Sequence, residues 1–311
     1  MDIFSAILYP FKWVIELLLV AFHTVFSFLG MNPDDGLTWV LAITGLVLVV
    51  RAALIPLFVR QIKSQRGMVL LQPELQKLQK KYKGKNDRDS REAFGREQME
   101  LYKRTGSNPL SSCLPLLAQM PIFFSLFATL NDAQHSKAGV GLLNIDLADS
   151  FAHASFFGAP LSASFFSSDN LEVKILAAVM IVLMTASQFI TQKQIISKNQ
   201  TPANLQNSQY MQTQKIMLWI FPIMFAISGV SFPLGVMFYW LVSNFWTMGQ
   251  QYFVIKRMPV PGSLAHEQRQ AKLAAKGILP DGSVVVAPEE DIKPEPKGQR
   301  NQPTRKKPKK K

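Results

Sequence analysis

The sequence predicts an all-α polytopic membrane protein: a five-helix transmembrane core around a polar groove open to the cytoplasm, with an N-terminal apolar helix and a cytoplasmic helical hairpin. Three observations lead there. Hydrophobic residues make up 48% of a 311-residue chain that also carries a formal net charge of +13, which implies apolar spans joined by basic loops and not one water-soluble core. Five runs, 37–58, 109–131, 171–193, 215–232 and 233–255, are long enough to cross about 30 Å of hydrocarbon at roughly 1.5 Å per residue. Polar residues inside four of those runs recur at helical spacing, and one of them is an arginine.

Taken in order, residues 1–30 hold an apolar segment, Tyr9–Leu29, in which Lys12, Glu16, His23 and Ser27 fall within one narrow arc at about 100° per residue. Such a helix either lies in the outer interface or crosses the membrane. An N-terminus kept inside needs no translocation of a free terminus, which tips the count to six spans. No basic n-region and no A-x-A site accompany the run, so no cleavable signal is expected.

The span 37–58 contains Arg51. A guanidinium keeps its proton, and a charge near the bilayer centre costs from roughly 3 to 10 or more kcal/mol, so Arg51 must face water or a partner. Snorkelling to the interface is the bland alternative, but Arg60 and Lys63 already serve that flank.

Residues 59–108 predict a helical hairpin. Gln72-Pro73 suits a helix start, Leu71, Leu75, Leu78 and Tyr82 recur on one face, and a second helix runs from about Arg88 to Lys103 after a turn at Gly84–Asp87. Arg60 to Arg104 carries thirteen basic residues, whereas the loop 132–170 after the span 109–131 has few, with Lys137 facing Asp132, Asp146, Asp149 and Asp169. By the positive-inside rule the hairpin is cytoplasmic and 132–170 extracytoplasmic. The span 171–193, the loop 194–214 and the two-span hairpin 215–255 then leave the tail 256–311 inside. That tail is rich in Pro, Gly, Lys and Glu and too polar to bury a core, so disorder is expected. Its last residues, Arg305, Lys306, Lys307, Lys309, Lys310 and Lys311, suit anionic lipid or ribosomal RNA, with simple positive-inside anchoring as the plainer reading.

The groove is read from depth. Thr44 and Arg51 share a face, as do Ser112 and Gln119; Thr185, Gln188 and Gln192 follow i, i+3, i+7, and so do Asn244, Thr247 and Gln251, beside Ser243. Nearly all lie in the cytoplasmic halves, while the outer halves are apolar. A hydrated cavity closed toward the outside follows. Met180, Met184, Met224, Met237 and Phe238 suit either an adaptable surface for partner helices or ordinary lipid contact.

A channel or carrier would carry polar lining through both halves, which this chain lacks. A ribosome tether with inert spans would leave Arg51 dispensable. No acid–base pair or nucleophile converges in the spans, so no enzyme, cofactor or metal is expected, and the single Cys113 excludes an internal disulfide.

Leu71-Gln72-Pro73-Glu74-Leu75, the run Asn108-Pro109-Leu110 through Cys113-Leu114-Pro115-Leu116-Leu117-Ala118-Gln119-Met120-Pro121-Ile122-Phe123, and Phe232-Pro233-Leu234-Gly235 before Tyr239-Trp240-Leu241-Val242-Ser243-Asn244 resemble the YidC-type membrane protein insertases of bacteria. The resemblance covers about Tyr9 to Arg257. It implies a five-helix core with one groove arginine, here Arg51, a mobile cytoplasmic hairpin, and an interfacial helix that aligns with Tyr9–Leu29. It also implies a multi-pass protein of the bacterial cell membrane that receives nascent membrane proteins from the ribosome or beside the Sec translocon.

Overall fold

The computed structural model describes residues 3–85, 87–104, 114–198, 200–201 and 208–276. Residues 1–267 form one unit; of the second, 268–311, residues 268–276 are described and complete a helix that ends at Ala274. Ser112, Cys113 and Arg305–Lys311 lie outside the described residues.

Helices dominate. They are α1 (Ile3–Phe28), α2 (Gly36–Ala53), α3 (Ile55–Tyr82), α4 (Arg88–Arg104), α5 (Leu114–Gln134), α6 (Ile145–His153), α7 (Leu171–Lys198), α8 (Ser208–Gly229), α9 (Leu234–Arg257) and α10 (Leu264–Ala274). Strands β1 (Ser155–Phe156) and β2 (Ala159–Pro160) pair antiparallel, with Ser155 opposite Pro160. Among the described residues, Ser5–Phe28, Gly36–Ala53 and Leu171–Lys198 are long and apolar enough to cross a membrane.

Several boundaries differ from the sequence expectation, and the start of the tail expected to be disordered is helical over Leu264–Ala274, whose Ala265 is buried. The arginine helix stops at Ala53 instead of 58: the chain turns at Leu54 and α3 restarts at Ile55 with Pro56 in its first turn, where a missing amide hydrogen is harmless. Helix α3 then runs through Pro73, so Gln72-Pro73 is not a start. The helix arrives there already formed, and its Leu71 and Leu75 are held against Leu101 and Tyr102 of α4, which outweighs one lost backbone bond. Finally, α7 continues to Lys198 and α8 begins at Ser208, shortening the expected loop 194–214; Gln192 Nε2 donates to Gln214 Oε1 at 3.4 Å between them.

The α3–α4 hairpin is fastened by charges. Lys81 Nζ donates to Glu97 at 2.6 Å, Tyr82 Oη donates to the same carboxylate at 2.8 Å, and Arg104 reaches Glu74 at 3.1 Å. The hydrogen bonds from Lys81 and Tyr82 hold Glu97 below its ordinary carboxylate range, and the bond to Glu97 raises Lys81. Asp87 is lowered by bonds from Ser90, whose amide donates to the Asp87 carboxylate at 2.9 Å, so that Asp87 caps the first turn of α4.

In the main bundle α9 lies at the centre, against α7, α2 and α5; α1 packs on α2 and α5, and α8 on α7. The helix ends near 134–171 are covered by α6 and the β1–β2 turn. Phe151, Leu143, Leu161, Ala148 and Ala159 from this cap are all buried in the same core as Trp39, Leu234 and Met237. A Cβ at Gly36 would run into the Ser155 backbone, so a glycine is needed where α2 starts beneath β1. Leu234 and Gly235 donate backbone hydrogen bonds to Ala163 and Leu161 at 2.9 Å each, which ties the start of α9 to the cap. The segment 132–170, a plain loop by sequence, is ordered here. Its order comes from tertiary burial, which a short segment with little periodicity does not advertise.

Candidate functional site

The polar stripe of α1 does not face a membrane surface. It is turned inward against cap-end elements. Glu16 is fully buried, and its carboxylate accepts the amides of Val140 at 3.0 Å and Gly141 at 2.6 Å. Lys12 pairs with Asp132 at 2.8 Å, and Ser125 donates to the Leu8 carbonyl at 3.4 Å. His23 meets the Pro33 carbonyl at 2.8 Å and stacks on Trp39 with ring centres 4.0 Å apart. Trp39 Nε1 donates to Ser150 Oγ at 3.2 Å. Each charge carries fixed partners, so this end is a polar lock within an apolar core.

The other half of the bundle has a different character. Gln119 on α5 donates from Nε2 to the Tyr239 hydroxyl on α9 at 2.7 Å. Arg51 on α2 lies within electrostatic range of that hydroxyl, which brings three helices to one region. Arg51 is half-buried and has no carboxylate within 4.0 Å among the described residues. Ser243, one turn beyond Tyr239, faces its hydroxyl, yet its buried Oγ does not reach full hydrogen-bond geometry with any described residue. The Gln119 Oε1 and the Thr185 Oγ1 on α7 are likewise buried without partners among the described residues. An unpartnered buried polar atom costs about 1–3 kcal/mol, so these atoms call for a polar visitor or water.

The remaining expected residues sort plainly. Thr44 and Thr247 donate to their own helices, to Val40 O and Ser243 O at 2.8 Å each, and so are satisfied locally. Gln192 joins α7 to α8. Gln188, Asn244 and Gln251 are half-buried on α7 and α9, and no contact draws them to Arg51. Tyr239, buried to 3% exposure, was missed as a site residue. The signal was present: Tyr239 and Ser243 stand four apart on the polar face of one helix.

The methionine expectation is corrected. Met180, Met184, Met237 and Phe238 belong to the buried core, while Met224 is exposed. Beside the polar point, Trp240 of α9 stacks on Phe123 of α5 at 5.6 Å and meets Phe225 of α8 edge-on at 5.9 Å. Phe232 packs on the same indole at 4.7 Å. This aromatic knot joins α5, α8 and α9 next to the Gln119–Tyr239 bond.

Most of the chain is similar to known proteins. Residues 31–261 match the model of the family described as 60Kd inner membrane protein. A relative from Streptomyces avermitilis is 46% identical over 273 residues, covering 85% of this chain and 61% of its own length. Relatives from Tropheryma whipplei and Bifidobacterium longum are 42% and 37% identical, covering 88% and 98% of this chain and 92% and 95% of theirs. All three are named membrane protein insertase YidC. The chain belongs to the YidC family of membrane protein insertases. Within that YidC-type match stand Arg51, Gln119 and Tyr239, while α1 precedes its first residue, Met31. The chain spans less than two thirds of the Streptomyces protein but nearly all of the other two.

Proposed function

We propose that the chain inserts nascent membrane proteins into the bacterial membrane by receiving polar segments at the Arg51–Gln119–Tyr239 point and releasing apolar helices into lipid. The observation that carries this reading is Arg51, a permanent cation in an apolar helix with no carboxylate within 4.0 Å among the described residues, near the Tyr239 hydroxyl that Gln119 bonds. Water and hydrogen-bonding groups there lower the cost of bringing a polar segment to mid-membrane depth, and the guanidinium attracts its acidic residues. Partition of the apolar substrate helix then drives release.

The basic α3–α4 hairpin supports a cytoplasmic placement of that side by the positive-inside rule, with the cap outside and the C-terminus inside. Helix α1, about 39 Å long at the usual rise, finds its polar partners in the cap half at Ser125, Asp132, Gly141 and Pro33. A helix crossing beside α2 would also meet partners at the hairpin end, so α1 lies along the outer interface, with Phe11, Trp13 and Val25 exposed toward lipid. The Sec translocon and the ribosome are working partners, and Arg305, Lys306, Lys307, Lys309, Lys310 and Lys311 supply contacts to ribosomal RNA or anionic lipid.

The test is in vivo insertion of paired single-span substrates with neutral and acidic translocated tails, at equal protein levels. Arg51→Lys retains most insertion; Arg51→Ala impairs it, and Arg51→Glu impairs the acidic substrate most. Full insertion of both substrates by Arg51→Ala refutes the reading.

A further inference from the structure

At the hairpin end, between the first turns of α3 and the last turns of α9, lies a slot of about 620 Å³ walled by Ile55, Val59, Ile62, Phe245 and Phe253. Its volume falls in the range of sites that hold a small amphipathic molecule. Arg257, the last residue of α9, lines it too, is exposed, and has no carboxylate within 4.0 Å among the described residues. Lys256 beside it lies over the Tyr252 ring at 5.7 Å. The polar Gln250 in the wall accepts from Trp246 Nε1 at 3.1 Å, so its acceptor oxygen is engaged within the wall.

One residue of the wall carries no side chain. Gly249 sits inside α9, where glycine costs about 1 kcal/mol relative to alanine, yet a Cβ there would meet nothing within 4 Å. The glycine therefore relieves no clash. The space over it is open.

We infer that this slot binds an anionic phospholipid of the cytoplasmic leaflet, with an acyl chain between α3 and α9 and the phosphate at Arg257. The chemistry is that of one amphipathic ligand: apolar walls ending at a guanidinium with no carboxylate within 4.0 Å among the described residues, which matches a phosphate. The site is separate from the Arg51 point, lying where α3 leaves the bundle. A lipid seated there bridges the hairpin to the central helix.

The test uses the full-length protein exchanged into equal amounts of phosphatidylglycerol and phosphatidylcholine with identical acyl chains, followed by native mass spectrometry of retained lipid. Wild type retains one phosphatidylglycerol in preference to phosphatidylcholine. Arg257→Gln lowers that preference about fivefold, the contribution of one interfacial cation. Gly249→Leu fills the slot and abolishes retention of both lipids, while its thermal midpoint stays equal or rises, since leucine favours the helix. Unchanged retention by Gly249→Leu overturns the assignment. So does an unchanged lipid preference in Arg257→Gln, and so does capture of a substrate peptide in place of lipid by a photoreactive side chain at Ile62.

Discussion

The two halves of the bundle handle buried polarity in opposite ways. In the cap half, Glu16, His23, Thr38 and Trp39 are nearly or wholly buried, and each has a named partner at 2.6–3.2 Å. In the half holding Arg51, Gln119 Oε1, Thr185 Oγ1 and Ser243 Oγ are buried with none among the described residues. Thr129 is an exception in the cap half, with a buried hydroxyl that lacks a described partner. Under the proposed reading the difference separates two jobs: satisfied polar groups rigidify and specify one arrangement, whereas unsatisfied ones are free to pair with a polar guest.

The largest effect that would break this comparison concerns Glu16. Glu16→Ala strands the amides of Val140 and Gly141, and should lower stability by roughly 3 kcal/mol, two charge-assisted bonds' worth, read as a fall in thermal midpoint. A midpoint within the scatter of wild type would show that the cap is no lock. Tyr239→Phe removes the acceptor of Gln119 from the less constrained half. It should change stability by about 1 kcal/mol or less while slowing insertion several-fold, because the half already tolerates unpartnered groups. A stability loss matching Glu16→Ala would make the two halves alike.

The smallest effect lies in the exposed hairpin. Glu97 is held below its ordinary value and Lys81 above its own, so their pairing is complete between the two ordinary values. It is lost as pH falls through the lowered Glu97 value or rises through the raised Lys81 value. Amide exchange in α3 and α4 should therefore quicken below the ordinary glutamate range in wild type. In Glu97→Gln the extra loss on acidification should vanish. Identical acid profiles would leave the pair without weight, the usual fate of an exposed bridge.

Sequence made the helices and the polar stripe legible because both rest on local periodicity. Arg51 announced itself by chemistry alone, and Gln119 by sharing a face with Ser112 in an apolar run. Pairings were not legible. That Gln119 meets Tyr239 across α5 and α9 depends on how three helices cross, which no single-helix pattern encodes. The inward turn of Lys12, Glu16 and His23 was hidden for the same reason: a polar stripe reads as solvent-facing until the cap that satisfies it is seen. Pro73 misled because a proline near a helix start looks the same as one crossed by a helix already under way.

The central claim is that water reaches one half of the bundle and not the other. The direct measurement is labelling of single cysteines by a membrane-impermeant, water-soluble maleimide added from the cytoplasmic side, in a Cys113→Ser background. Gln119, Gln188 and Asn244 should label as cysteines, while Val40 and Val173, buried in the cap half, should not. Equal labelling of the two sets, or equal protection, would contradict the account.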